Sequence, residues 1–146
     1  MDHRKLAASL AASLAIASSA MAATETTAPQ GRIASDFAAW AGGRQNADAL
    51  VAGLHNGTSI TLATTGRNRN VSLAGFTPSA PMSYDEVRDA LGSARTELSR
   101  LGVRQPTAEQ IQAALIGGEV ELGNGRSHMV RGSVTPLGGN PNVAAR

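Results

Sequence analysis

The sequence predicts an α+β fold: a helix-helix-β-hairpin unit occurs twice, and the hairpins join into a four-stranded antiparallel sheet with helices on one face. Three observations predict it. Two stretches of helical periodicity open with paired capping residues. Each second helix stops at a glycine and is followed by short runs of alternating apolar and polar residues. Those segments follow one another in the same order twice within 146 residues, a length that fits one small domain.

The first element is an address. Residues 1–22 read as a signal peptide: His3, Arg4 and Lys5 precede an apolar run over 6–17, and Ala20-Met21-Ala22 puts small residues where a signal peptidase reads them. Cleavage is expected between Ala22 and Ala23. The apolar run is shorter than the ~20 residues a membrane span needs, and no later stretch is longer, so no span is expected after cleavage. Residues 23–32 are expected to be a flexible mature N-terminus, 33–136 a single domain of units 33–78 and 79–136, and 137–146 a disordered tail.

In the first unit, Ser35-Asp36 is expected to open a short helix carrying Phe37 and Trp40, ended by Gly42-Gly43. Asn46 is expected to cap the next helix, with Leu50 and Leu54 on its apolar face and Asn56-Gly57 at its end. In the second unit, Ser83 and Glu86 form a capping box, Met82 and Val87 sit as a hydrophobic staple, and Tyr84, Val87, Leu91, Ala94, Leu98 and Leu101 make one apolar stripe. Arg88, Asp89, Arg95 and Arg100 read as the solvated face. Thr107 and Gln110 cap the last helix, which Ile111 and Leu115 place against the core.

The unit order rests on matched residues. Ala47-Asp48-Ala49-Leu50-Val51-Ala52-Gly53-Leu54 corresponds to Ala108-Glu109-Gln110-Ile111-Gln112-Ala113-Ala114-Leu115, and Thr77-Pro78 to Thr135-Pro136, which points to an internal repeat. The expected buried side of the sheet comprises Ile60, Leu62, Val71, Leu73, Val120, Leu122, Val130 and Val134.

Phe37-Ala38-Ala39-Trp40-Ala41-Gly42-Gly43, the Asn46–Leu54 stretch and Gln105-Pro106-Thr107-Ala108-Glu109-Gln110-Ile111 with Gly117-Gly118 resemble a family of small secreted proteobacterial proteins of unknown function. The resemblance spans 33–122 and implies export. The family continues past the last strand into a short helix with glycine and tryptophan, where this chain has Gly139-Asn140-Pro141.

Composition narrows the function. There is no cysteine, hence no disulfide, thiolate nucleophile or Cys-ligated metal, and the lack suits an oxidising periplasm. The isoelectric point of about 9.9 arises because the bases are nearly all arginine. Without 1–22 the chain keeps 11 basic and 10 acidic residues, too even a balance to capture nucleic acid by charge. His55 and His128 have no metal-ligand spacing, so neither metal nor cofactor is expected; His55 reads as a helix-end cation and His128 as a cross-strand polar residue. No Gly-x-Ser-x-Gly elbow is present, and Glu119 and Glu121 read as the wet face of a strand.

Arg67, Arg69 and Arg126 lie at the two hairpin tips, where they are expected to form a basic edge for an anionic ligand or a partner protein. The expected function is an exported, non-catalytic binding or interaction module. The alternative is a small exported hydrolase in which a histidine converges with a serine and an acid.

Overall fold

The computed structural model describes residues 28–66 and 68–138. The cleavage site at Ala22 and Ala23, Arg67 and the tail from 139 lie outside the described residues. The architecture is α+β: α1 (Ala28–Phe37), α2 (Arg44–Asn56), β1 (Ile60–Thr65), β2 (Val71–Phe76), α3 (Tyr84–Arg100), α4 (Ala108–Ile116), β3 (Gly118–Glu121) and β4 (Ser127–Val130).

The first two helices depart from expectation at their starts. Ser35 and Asp36 sit in the last turns of α1, whose buried face is Ile33, Ala34 and Phe37. Asn46 is not a cap: α2 begins at Arg44 behind Gly43, without a side-chain cap. Asn46 is buried, and its Nδ2 donates to the carbonyls of Ala41 and Ala63, both at 2.8 Å. Its Oδ1 accepts from the Ala63 N–H at 3.2 Å. One amide side chain thus occupies the outer edge of β1 as a neighbouring strand would. Local capping propensity yields here to a buried backbone pair that needs partners. Gly57 ends α2 in the left-handed conformation, as the Asn-Gly signal requires.

The second pair of helices follows the sequence closely. Ser83 and Glu86 form the reciprocal capping box of α3, at 3.2 and 2.7 Å. Val87, Leu91, Ala94 and Leu98 are buried, with Tyr84, Met82 and Leu101 packed at the rim. The outer face is not wholly solvated, because the Arg95 guanidinium lies 4.5 Å above the Phe37 ring. Thr107 and Gln110 box α4 in the same way.

The strands pair as two separate two-stranded antiparallel sheets, β1-β2 and β3-β4; no four-stranded sheet forms among the described residues. A helix bridges the two sheets. α4 packs against both β2 and β3. The Thr64 hydroxyl accepts from the first helical N–H, that of Ala108, at 2.8 Å, and Gln110 Nε2 donates to the Glu121 carbonyl at 2.7 Å. Beyond the strands the two Thr-Pro segments meet antiparallel at Pro78 and Pro136. Ser79 N–H donates to Thr135 O at 2.9 Å and Leu137 N–H to Thr77 O at 2.7 Å.

The inward face of β2 also differs. Ile60, Leu62 and Thr64 pair with Phe76, Ala74 and Ser72, which turns Val71 and Leu73 outward, 62% and 63% exposed. Hydrophobicity alone favours Val71 and Leu73, but a strand's two faces are chosen together. Burying Phe76 brings Ala74 with it, and a small residue suits the close packing of α4. In the second hairpin Val120 and Val130 are buried and Leu122 is half-buried, while Val134 is buried after β4 has ended.

Candidate functional site

Both hairpins close through the same turn. Gly66 N–H donates to Asn70 O at 2.8 Å and Arg69 N–H to Gly66 O at 3.0 Å; in the second hairpin Leu122 pairs with Arg126 at 2.7 Å and Gly125 with Leu122 at 3.1 Å. Each loop has three residues, the third left-handed: Arg69 at φ 61° and Gly125 at φ 76°. By these bonds Arg69 corresponds to Gly125 and Arg126 to Asn70, so Arg69 and Arg126 do not hold matching places in the two hairpins. Arg126 is exposed, and its N–H donates to Asn124 Oδ1 at 3.1 Å.

Arg69 is the one non-glycine residue at positive φ among the described residues. An L-residue there costs about 1–2 kcal/mol, which glycine avoids. Arg69→Gly is therefore expected to raise stability by about 0.5–1 kcal/mol, the larger chain entropy of glycine offsetting part of the gain. A urea titration reads this, and an unchanged or lowered midpoint refutes it.

The two tips stand beside one open cleft of about 600 Å³. Asn70, Val71 and Ser72 line it from the first hairpin, Glu109 and Gln110 from α4, and Glu119, Glu121 and Gly123 from the second. Residues of both tips thus line one cleft. Among the described residues the charge in the lining is acidic. Arg69 and Arg126 do not line the cleft, and the three carboxylates form no ion pair among the described residues. The Ser72 hydroxyl oxygen at its wall is buried without a hydrogen-bond partner.

A second cleft, of about 730 Å³, lies between Trp40, the Gly42-Gly43 turn, Thr64, Thr65 and Pro106. Among the described residues it has no charged side chain in its lining. The buried Trp40 Nε1 is without a hydrogen-bond partner.

The histidines make other contacts. His55 stacks on Tyr84, with centroids 3.9 Å apart and planes at 10°, and its Nδ1 lies 2.8 Å from Met82 O. It ties the end of α2 to the start of α3, contacts that no motif in the sequence signals. His128 is exposed on β4 opposite Val120. Neither ring has a serine or carboxylate hydrogen-bond partner among the described residues. No group of three or more His, Asp or Glu side chains there could hold a metal ion, and no helix there is long and apolar enough to cross a membrane.

Sequence reasoning missed Thr64 and the double role of Gln110, since each acts through a partner outside its own element. Only Gln110 left a trace, as the third residue of a capping box. Comparison with protein-family models, with curated proteins and with solved structures finds no match.

Proposed function

We propose that the chain is an exported, non-catalytic binding module that engages its partner at the end of the molecule where the hairpin tips flank the cleft. The observation that carries this reading is the convergence of both tips, with residues from β2, α4 and β3, on one open cleft. Interaction surfaces of this kind are loops held by a rigid scaffold, and here two capping boxes and the Ala108–Thr64 hydrogen bond help hold the scaffold. The left-handed Arg69 supports the same reading, because backbone strain kept at an exposed tip favours a role outside folding. Arg69 and Arg126 would meet acidic groups of the partner, and the carboxylates of the cleft its basic ones.

The test uses the whole chain with a C-terminal tag, expressed in a bacterium and recovered from the periplasm. Its intact mass is expected to lack residues 1–22. The partner recovered with it is expected to be lost when Glu119→Lys and Glu121→Lys are combined, weakened by Arg69→Ala with Arg126→Ala, and kept by Arg88→Ala on the far face of α3, all at a similar thermal midpoint. Retention of 1–22 overturns export. Equal partner recovery from the cleft variant and the α3 variant overturns the assignment of the face.

A further inference from the structure

The two edges of the first hairpin are treated differently by the fold. Hydrogen-bonded and non-hydrogen-bonded pairs alternate along an antiparallel ladder. Since Gly66 and Asn70 bond each other, the register directs the backbone groups of Ala63 on β1, and of Val71, Leu73 and Gly75 on β2, away from the hairpin. Ala63 is taken by Asn46 on both its N–H and its C=O. Val71, Leu73 and Gly75 are exposed, and among the described residues no hydrogen bond from them leaves the hairpin. The same edge is paired one step further on, where Leu137 N–H donates to Thr77 O in antiparallel register. Among the described residues β2 thus presents a pairing edge already used just beyond its C-terminal end and free over the rest of its length.

The free stretch carries exposed apolar side chains, Val71 and Leu73, and no lysine or proline to blunt it. It ends at the acidic cleft, whose lining includes Val71 and Ser72 together with Glu109, Glu119 and Glu121.

We propose that the outer edge of β2 is a strand-addition site for an extended peptide running antiparallel to it, with a basic residue at the peptide's C-terminal end seated in the carboxylate-lined cleft. The inference rests on the binding-module reading and names the partner's chemistry. Backbone pairing with Val71, Leu73 and Gly75 supplies affinity, as in other strand additions. An antiparallel peptide runs from Gly75 toward Val71, so its C-terminal end reaches the cleft. There the carboxylates, unpaired among the described residues, favour arginine or lysine.

The experiment is calorimetric titration of the full chain with acetyl-Thr-Val-Thr-Val-Thr-Arg-amide and with the same peptide carrying its arginine first. The peptide with the terminal arginine is expected to bind, and moving the arginine to the other end to weaken binding about tenfold, the value of one charge-assisted contact. Methylating alternate peptide nitrogens is expected to abolish binding in one phase and spare it in the other, because only one edge of the added strand faces β2. Leu73→Pro removes an outward N–H without cutting the β1-β2 ladder and is expected to abolish binding, whereas Met129→Pro on β4 leaves it intact. The methylated peptides keep the test valid on the unaltered protein if Leu73→Pro fails to fold. Absence of binding, equal binding of the two peptides, or indifference to methylation phase overturns the proposal. So does a wild-type dimer that Leu73→Pro dissolves, since a second copy would then be the occupant. Partner recovery that still depends on Glu119 and Glu121 in any of these cases leaves the binding module standing without its peptide.

Discussion

Gly132→Ala is expected to destabilise the domain strongly. A Cβ at this position would fall on the backbone of Leu115, Ile116 and Gly117, where the chain leaving β4 crosses the end of α4. Close by, Val134 N–H donates to Leu115 O at 2.8 Å, so the crossing is held by backbone bonds and cannot open cheaply. Overpacking against movable side chains costs about 1–3 kcal/mol. Here the obstacle is main chain, and a loss of about 4 kcal/mol is expected from a total of about 5–15. Gly92→Ala is the matched control: it lies within α3 with nothing within 4 Å of the added carbon. It is expected to stabilise by up to ~1 kcal/mol through helix propensity. Far-ultraviolet circular dichroism with urea separates the two, and equal midpoints would mean the crossing is not as tight as drawn.

Leu91→Ala is expected to lower stability by about 2–5 kcal/mol, the usual range for a buried leucine cut back to Cβ. Leu91 is fully buried at the centre of the α3 stripe, between Val87, Ala94 and Leu98. Arg95, one turn further on at the border of that stripe, is exposed, and its contact is the Phe37 ring 4.5 Å below the guanidinium. Arg95→Ala is expected to cost about 0.5–1 kcal/mol, the worth of an exposed cation–π contact. Thermal unfolding of both variants reads the ratio. A loss for Arg95→Ala as large as that for Leu91→Ala would mean that the helix is wrongly oriented on the core.

The elements most legible in the sequence were those whose signals are local. The Ser83-Glu86 and Thr107-Gln110 boxes act over three residues, and both form. The α3 stripe needs only the 3.6-residue period, and its central positions are buried. Asn46 shows where locality fails. A cap and a buried edge partner look alike in sequence, and the choice fell to Ala63, seventeen residues away, whose backbone groups needed satisfying. At the tips, the positions of the arginines were legible and their surroundings were not. Glu109 reaches the cleft from α4 and Glu119 and Glu121 from β3, across a gap that no local pattern describes.

By itself, the sequence determined the element types, their α-α-β-β order taken twice and the caps of α3 and α4. Tertiary structure decided which face of β2 turns inward, that α4 bridges two separate hairpins, and that the described lining of the cleft between the tips is acidic. The reason is physical. Helix and turn preferences arise within a few residues, whereas a strand's face and neighbours are settled only when the whole apolar surface is buried at once. Phe76, Ala74 and α4 could satisfy that condition together, and Val71 and Leu73 were left to the solvent side.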